Sequence, residues 1–199
     1  MLPRQPNGDP KDMNSTICLT NHFLIAMPQL HDPNFFHSVT YICQHDDEGA
    51  MGIMINRPTE MQLKEIFEHL EIDSSDAALG QQPIYSGGPV QTDRGFVLHR
   101  PSKNWQGTLF ISDEIALTAS SDILSDIAQH KGPKETLVAL GYAGWGAGQL
   151  EQELTQNSWL SVPADAEIIF NIPNEQRWHA AASLLGINLS QLSDTVGHA

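Results

Sequence analysis

The run Thr136-Leu137-Val138-Ala139-Leu140 leads directly into GYAGWGAGQLE, Gly141 to Glu151, and this junction constrains the fold more than any other stretch. A nearly continuous apolar run is what a strand buried on both faces requires, whereas a strand with one wet face alternates. Residues 136–140 are therefore expected in the middle of a sheet. Gly141, Gly144, Gly146 and Gly148 then permit backbone conformations and close approaches that a Cβ would block. The pattern predicts a strand-to-helix turn, with the helix beginning near Gly148.

Such turns often cradle anions, because helix N-terminal amides point outward and the helix dipole favours negative charge. Here no Lys-Ser or Lys-Thr follows the glycines, and their spacing is not GxGxxG. Glu151 and Glu153 fall in the first turns of the helix, where they satisfy the dipole and repel phosphate. A nucleotide site is disfavoured on these grounds. Two readings stay open. The segment is either a contact surface for a neutral or cationic partner, or a packing corner in which Trp145 plugs a gap and Glu151 caps free amides.

Elsewhere, short apolar segments alternate with turn clusters and a few amphipathic stretches, which predicts a mixed fold. Strands are expected at 23–27, 38–44, 50–55, 95–99, 108–111 and 167–170 besides 136–140. Asp46-Asp47-Glu48-Gly49 between the second and third reads as a hairpin turn, with glycine supplying positive φ. Thr59 and Gln62 suggest a capping box, before Leu63, Ile66, Phe67 and Leu70 on one helical face. A second helix runs from about Asp122 to His130 and stops at Lys131-Gly132-Pro133. A last one is capped by Asn174, with Trp178, Ala181, Ala182 and Leu185 as its stripe. Residues 1–14, with Pro3, Pro6, Gly8 and Pro10, read as a disordered leader. Residues 15–199 read as a single domain.

Composition removes several function classes. Lys and Arg number 10 against 24 acids, a net charge of −14, and the basic residues form no stripe. Direct nucleic-acid binding is disfavoured, because such affinity comes from cations displacing condensed counterions. No apolar run approaches the ~20 residues of a membrane helix, and the N-terminus lacks the apolar core of a secretory signal. A cytoplasmic location is the expectation. The two cysteines, Cys18 and Cys43, form no CxxC, and the nine histidines form no HExxH or Cys-His spacing. Neither a metal nor another cofactor is expected.

Three arginines sit in turn contexts, Asn56-Arg57-Pro58, Asp93-Arg94 and His99-Arg100-Pro101, with Gly87-Gly88-Pro89 between them. Arginine suits bidentate recognition of carboxylate or phosphate, but in so acidic a chain each can equally pair with a local acid. Arg57 and Arg100 as clamps with His99 as general base would make an enzyme site for a small anionic substrate, provided the three converge. Cys43 and His45, two apart on one strand, would share a face and could form an activated thiolate; a packed thiol beside a hydrogen-bonding His is the plainer reading. Asp165 reads as a turn-closing carboxylate.

The ordered words Phe23-Leu24-Ile25-Ala26-Met27-Pro28, Gly49-Ala50-Met51-Gly52, Ile55-Asn56-Arg57-Pro58, Gly87-Gly88-Pro89-Val90, Phe96-Val97-Leu98-His99, GYAGWGAGQLE, Trp159-Leu160, Pro163-Ala164-Asp165 and Gly197-His198-Ala199 resemble the YqgE/AlgH family of small bacterial proteins. The resemblance covers nearly everything from Leu19 onward; the leader is an addition to it. It implies an α+β fold, in which a bent, bifurcated mixed sheet forms a pseudo-barrel with about four flanking helices. It implies no reaction, cofactor or catalytic residue, and a transcriptional role attaches to it only through a link to alginate regulation. The expectation is a binding or regulatory module acting on gene expression, if at all, through a protein partner. Its contact residues would be Asn56, Arg57, Gly87, Gly88, His99, Arg100, Tyr142, Trp145 and Glu151, and its partner a protein or small molecule, with the oligomeric state left open. The enzyme with an Arg57/Arg100 clamp is the alternative.

Overall fold

A computed structural model describes residues 18–186. The expected leader and the final Gly197-His198-Ala199 lie outside the described residues. Ten strands are arranged as β1 (His22–Ala26), β2 (Val39–Asp46), β3 (Gly49–Met54), β4 (Pro58–Gln62), β5 (Pro83–Ser86), β6 (Val90–His99), β7 (Thr108–Phe110), β8 (Ala116–Thr118), β9 (Thr136–Gly146) and β10 (Trp159–Pro163). Six helices accompany them: α1 (Leu63–His69), α2 (Ala77–Gly80), α3 (Asp122–Ala128), α4 (Gln149–Thr155), α5 (Ala166–Phe170) and α6 (Asn174–Ser183). The strand order is β10-β1-β2-β3-β9-β6-β8-β7, with β4 and β5 branching from β9. The mixed sheet curls into a half-barrel, the bent and bifurcated α+β architecture expected.

The branch point is β9. Its first half pairs antiparallel with β6 and parallel with β5. Its second half, Ala143 to Gly146, pairs instead with Gly52 to Gly49 of β3. Residues 141–146, expected as a turn, are thus a continuation of the strand, and the turn shrinks to Ala147-Gly148. Gly141 marks the change of partner with φ +74°, a value that permits the bend without the Cβ penalty. A Cβ on Gly87 or Gly88 would overlap the backbone of Gly141 or Tyr142, and one on Gly49 would overlap the Trp145 carbonyl. The glycines are required less for turning than for letting three chains touch.

Apolar residues fill three clusters. The largest lies between the sheet and α5 and α6, and includes Phe23, Tyr41, Ile53, Leu98, Ile169 and Trp178. A second packs α1 and α3 on the sheet through Leu63, Phe67, Ile123 and Ile127. The third joins α4 to the strands through Leu24, Ile42, Trp145, Leu150 and Trp159. The β2–β3 hairpin forms as expected, with Asp46 opposite Gly49 and Gly49 at φ +138°.

Four local expectations are corrected. Residues 167–170 are helical, because the Asp165 carboxylate accepts from Glu167 N at 2.9 Å and starts α5. The α1 capping box sits three residues later than expected: Glu65 Oε1 accepts from Gln62 N at 2.9 Å, while Thr59 belongs to β4 and donates to Ile84 O. Leu70 consequently ends α1 and is exposed. Asn174 is the first residue of α6 rather than its cap, which is Pro173. His130, at φ +57°, takes the left-handed position after α3 instead of Gly132, which is needed for its approach to Ile127.

Candidate functional site

The segments carrying Arg57, Gly87 and Gly141 meet at the branch point. Met54 N donates to Gly87 O at 2.8 Å, Ser86 N to Arg57 O at 2.8 Å, and Gly87 N to Leu140 O at 2.8 Å. From this junction the second half of β9 runs alongside β3 and helps line a groove of about 540 Å³. Tyr142, Gly144 and Trp145 contribute from β9, Met51 from β3, and Phe96 from β6. Asp46 and Glu48 stand on the hairpin side and Arg94 on the β6 side.

Each rim group is held by chemistry that the local sequence supplies. Gln44 Nε2 donates to Asp46 Oδ2 at 3.0 Å and Glu48 N to Oδ1 at 2.9 Å. Those bonds hold the Asp46 carboxyl below the usual carboxylate range and keep it charged. Arg94 lies over the Phe96 ring at 5.2 Å, and the Tyr142 ring meets Phe96 edge-on at 5.9 Å. The groove is apolar on its floor and acidic on one rim.

Trp145 faces mostly inward. It is 6% exposed, stacks on Phe35 and meets Trp159 edge-on. Its Nε1 donates to Glu153 Oε2 at 2.9 Å, and the same oxygen accepts from Trp159 Nε1 at 2.8 Å. Glu151 does not cap amides; its Oε1 accepts from His45 Nε2 at 2.8 Å. Leu19 N donates to His45 Nδ1 at 3.0 Å, which assigns the ring proton to Nε2. Glu151 therefore ties α4 to β2 beside the groove.

Arg57 reaches the junction with its backbone, and the Asn56 and Arg57 side chains turn to the connection before β2. Asn56 Oδ1 accepts from Val39 N at 2.8 Å and its Nδ2 donates to His37 O at 2.9 Å. Arg57 donates to Pro33 O at 3.0 Å and Phe36 O at 2.8 Å. The pair is a clamp on the connection before β2, and the Arg57 guanidinium is occupied by carbonyls.

His99 and Arg100 are elsewhere. His99 lies opposite Thr136, six residues along β9 from Tyr142, or about 20 Å at ~3.3 Å per residue. Its ring is fully buried, with Nδ1 donating to Arg100 O at 3.0 Å and Nε2 accepting from Thr118 Oγ1 at 2.9 Å. Burial pushes its pKa down, so it is a neutral structural histidine. Arg100 is bound to Glu114, Glu135 and Glu167 at 2.8, 3.0 and 2.6 Å and lies over Phe170. The expected clamp of Arg57, Arg100 and His99 does not assemble, because each member is committed to a different local partner.

The thiolate arrangement also fails to form. A bulge between Ile42 and Gln44 breaks the alternation of β2. Cys43 consequently packs with Tyr41 in the largest core cluster, while His45 reaches α4. Burial pushes the Cys43 thiol pKa up, leaving it protonated. No group of three or more potential metal ligands occurs among the described residues, and no described helix is long and apolar enough to cross a membrane.

Sequence reasoning missed the groove's Asp46, Glu48, Met51, Arg94 and Phe96 as contact residues. The acids stood out only as hairpin turn residues, and nothing local in the sequence pairs β3 with residues 143–146.

A half-barrel whose sheet divides along one glycine-rich strand defines a structural class, and comparison with known proteins gives it a family. The AlgH-like family model matches residues 23–190, and the chain belongs to that family. A UPF0301 protein of Thioalkalivibrio sulfidiphilus is 57% identical over 94% of this chain and 100% of its own length. One from Nitrosococcus oceani is 53% identical over 92% and 99%. The solution structure of the AlgH protein from Pseudomonas aeruginosa is similar at a TM-score of 0.76 and 50% identity, covering 94% of this chain and 100% of that one. A crystal structure of protein DIP2367 from Corynebacterium diphtheriae, 16% identical, shares the fold at a TM-score of 0.69, covering 88% and 91%.

Proposed function

We propose that this chain is a binding module whose contact face is the groove between the β2–β3 hairpin and β6. The observation that carries the reading is its construction: the glycine-rich half of β9 forms the floor, and the glycines hold three segments close enough to make one. An apolar floor of Tyr142, Met51 and Phe96 beside the Asp46 and Glu48 carboxylates suits an apolar side chain flanked by a cation. A protein segment with that pattern is the partner class. Any effect on gene expression runs through such a partner, since a net charge of −14 opposes direct contact with nucleic acid.

The test is photo-crosslinking from position 51 and, as a control, from exposed Phe110 on β7. A partner captured only from position 51 is then purified and titrated against wild type and Asp46→Lys/Glu48→Lys. Binding weakened by about tenfold or more supports the proposal. Identical capture from both positions, or an affinity indifferent to the charge reversal, overturns it.

A further inference from the structure

A different cavity holds a charged group with no ion-pair partner among the described residues. It has a volume of about 290 Å³ and lies between the start of β9, the entry to β5 and the α5–α6 pair. Gln82, Tyr85, Lys134, Thr136, Asn171 and Arg177 are among its lining residues, which are mostly polar. Arg177 is 6% exposed. Its Nε donates to Ile172 O at 2.9 Å and its Nη1 to Ile55 O, which engages two of five guanidinium N–H donors. The group lies over the Tyr85 ring at 5.2 Å. Among the described residues it forms no ion pair.

That arrangement is costly in isolation. Carbonyl oxygens and a ring face supply partial negative charge, but a buried cation without an ion-pair partner carries a desolvation penalty that they offset only in part. Desolvation accordingly depresses the Arg177 pKa, opposed in part by the Tyr85 side chain, which hydrogen-bonds to it, and by Glu175. Acids outnumber bases 24 to 10 in this chain, yet none of the described carboxylates forms an ion pair with it. The acid in the cavity wall, Glu135, is spent on Arg100 at 3.0 Å and Asn171 at 2.8 Å. Asn171 in turn spends its amide on Glu135 and Glu167. The groups left to face a ligand are Arg177, Lys134 and Gln82, all able to donate.

We infer that this cavity is a binding site for a small oxyanion, a phosphate or carboxylate group, that supplies the counter-charge Arg177 lacks. A planar guanidinium with remaining N–H donors matches such a group, and Lys134, exposed at the mouth, adds a second positive charge. The site is separate from the groove and does not depend on it.

The test is calorimetric titration of the protein with inorganic phosphate, pyrophosphate and succinate at constant ionic strength, with amide NMR shifts to locate the response. The expected result is saturable binding of at least one probe, shifts centred on Thr136, Leu137 and Asn171, and about a tenfold loss of affinity in Lys134→Glu. Arg177→Lys, which keeps the charge and loses the planar fork, should weaken binding similarly. Should that buried substitution unfold the chain, the exposed Lys134→Glu decides alone. No saturable binding of any probe up to about 10 mM, shifts centred elsewhere, or affinity unchanged in Lys134→Glu overturns the inference.

Discussion

Two glycines with the same backbone angle separate the reasons a glycine can be needed. Gly141 has φ +74° and Gly148 φ +73°. A Cβ on Gly148 meets nothing within 4 Å, whereas one on Gly141 would overlap Gly88 O and lie 3.0 Å from Val90 O and 3.2 Å from Thr92 Cα. Gly148→Ala therefore carries only the left-handed penalty, about 1–2 kcal/mol. Gly141→Ala carries that and an overlap with backbone that no side-chain rotation relieves, worth roughly 1–3 kcal/mol more. The smaller unfolded-state entropy of alanine offsets both equally and cancels in the comparison. At a urea m-value of about 2 kcal/mol/M, the midpoint falls by about 0.5–1 M for Gly148→Ala and about 1–2.5 M for Gly141→Ala. Equilibrium unfolding followed by tryptophan fluorescence measures both. Equal shifts would refute the argument that β9 needs glycine for close approach, and with it the account of how the groove floor is built.

The shared acceptor at Glu153 gives a second expectation. Glu153→Ala leaves the Trp145 and Trp159 indole N–H groups without their partner and should cost about 2 kcal/mol, and Glu153→Gln, which keeps one carbonyl oxygen, about half; urea midpoints decide. A third concerns pH. The folded His99 pKa lies below its unfolded value, so the unfolded chain takes up the proton first as pH falls below about 6.5. Stability present at neutral pH is lost progressively below that point. His99→Gln should flatten the fall in urea midpoint between about pH 7 and 5.5; His37, also depressed mainly by burial, remains as a common background.

The mixed fold and the family were legible because they rest on local pattern: the 136–140 run, the Asp46–Gly49 turn and the α6 stripe. The errors have a common origin. Residues 168–170 are apolar and partly β-branched, consistent with a buried strand or a helix turn, and only the reach of the Asp165 side chain decides between them. Gly141 serves close approach, yet close approach and turning look the same until the opposing backbone, Gly88 and Val90, is known.

The site was less legible, for a reason visible in three arginines. Arg57, Arg94 and Arg100 stand out in sequence because their neighbours read as turns, although Arg94 lies within β6. Arg57 finds carbonyls 21 and 24 residues earlier, and Arg100 finds acids 14, 35 and 67 residues on. Arg177 sits beside Trp178 on the buried face of α6 and has no place in the apolar stripe of that helix. What distinguishes it is not its own neighbourhood in sequence but the carboxylates of Glu135 and Glu167, already spent on Arg100 and Asn171. Among the described residues, the most informative cation is thus the buried one that forms no ion pair, and that can be recognised only after the partners of the neighbouring carboxylates are known.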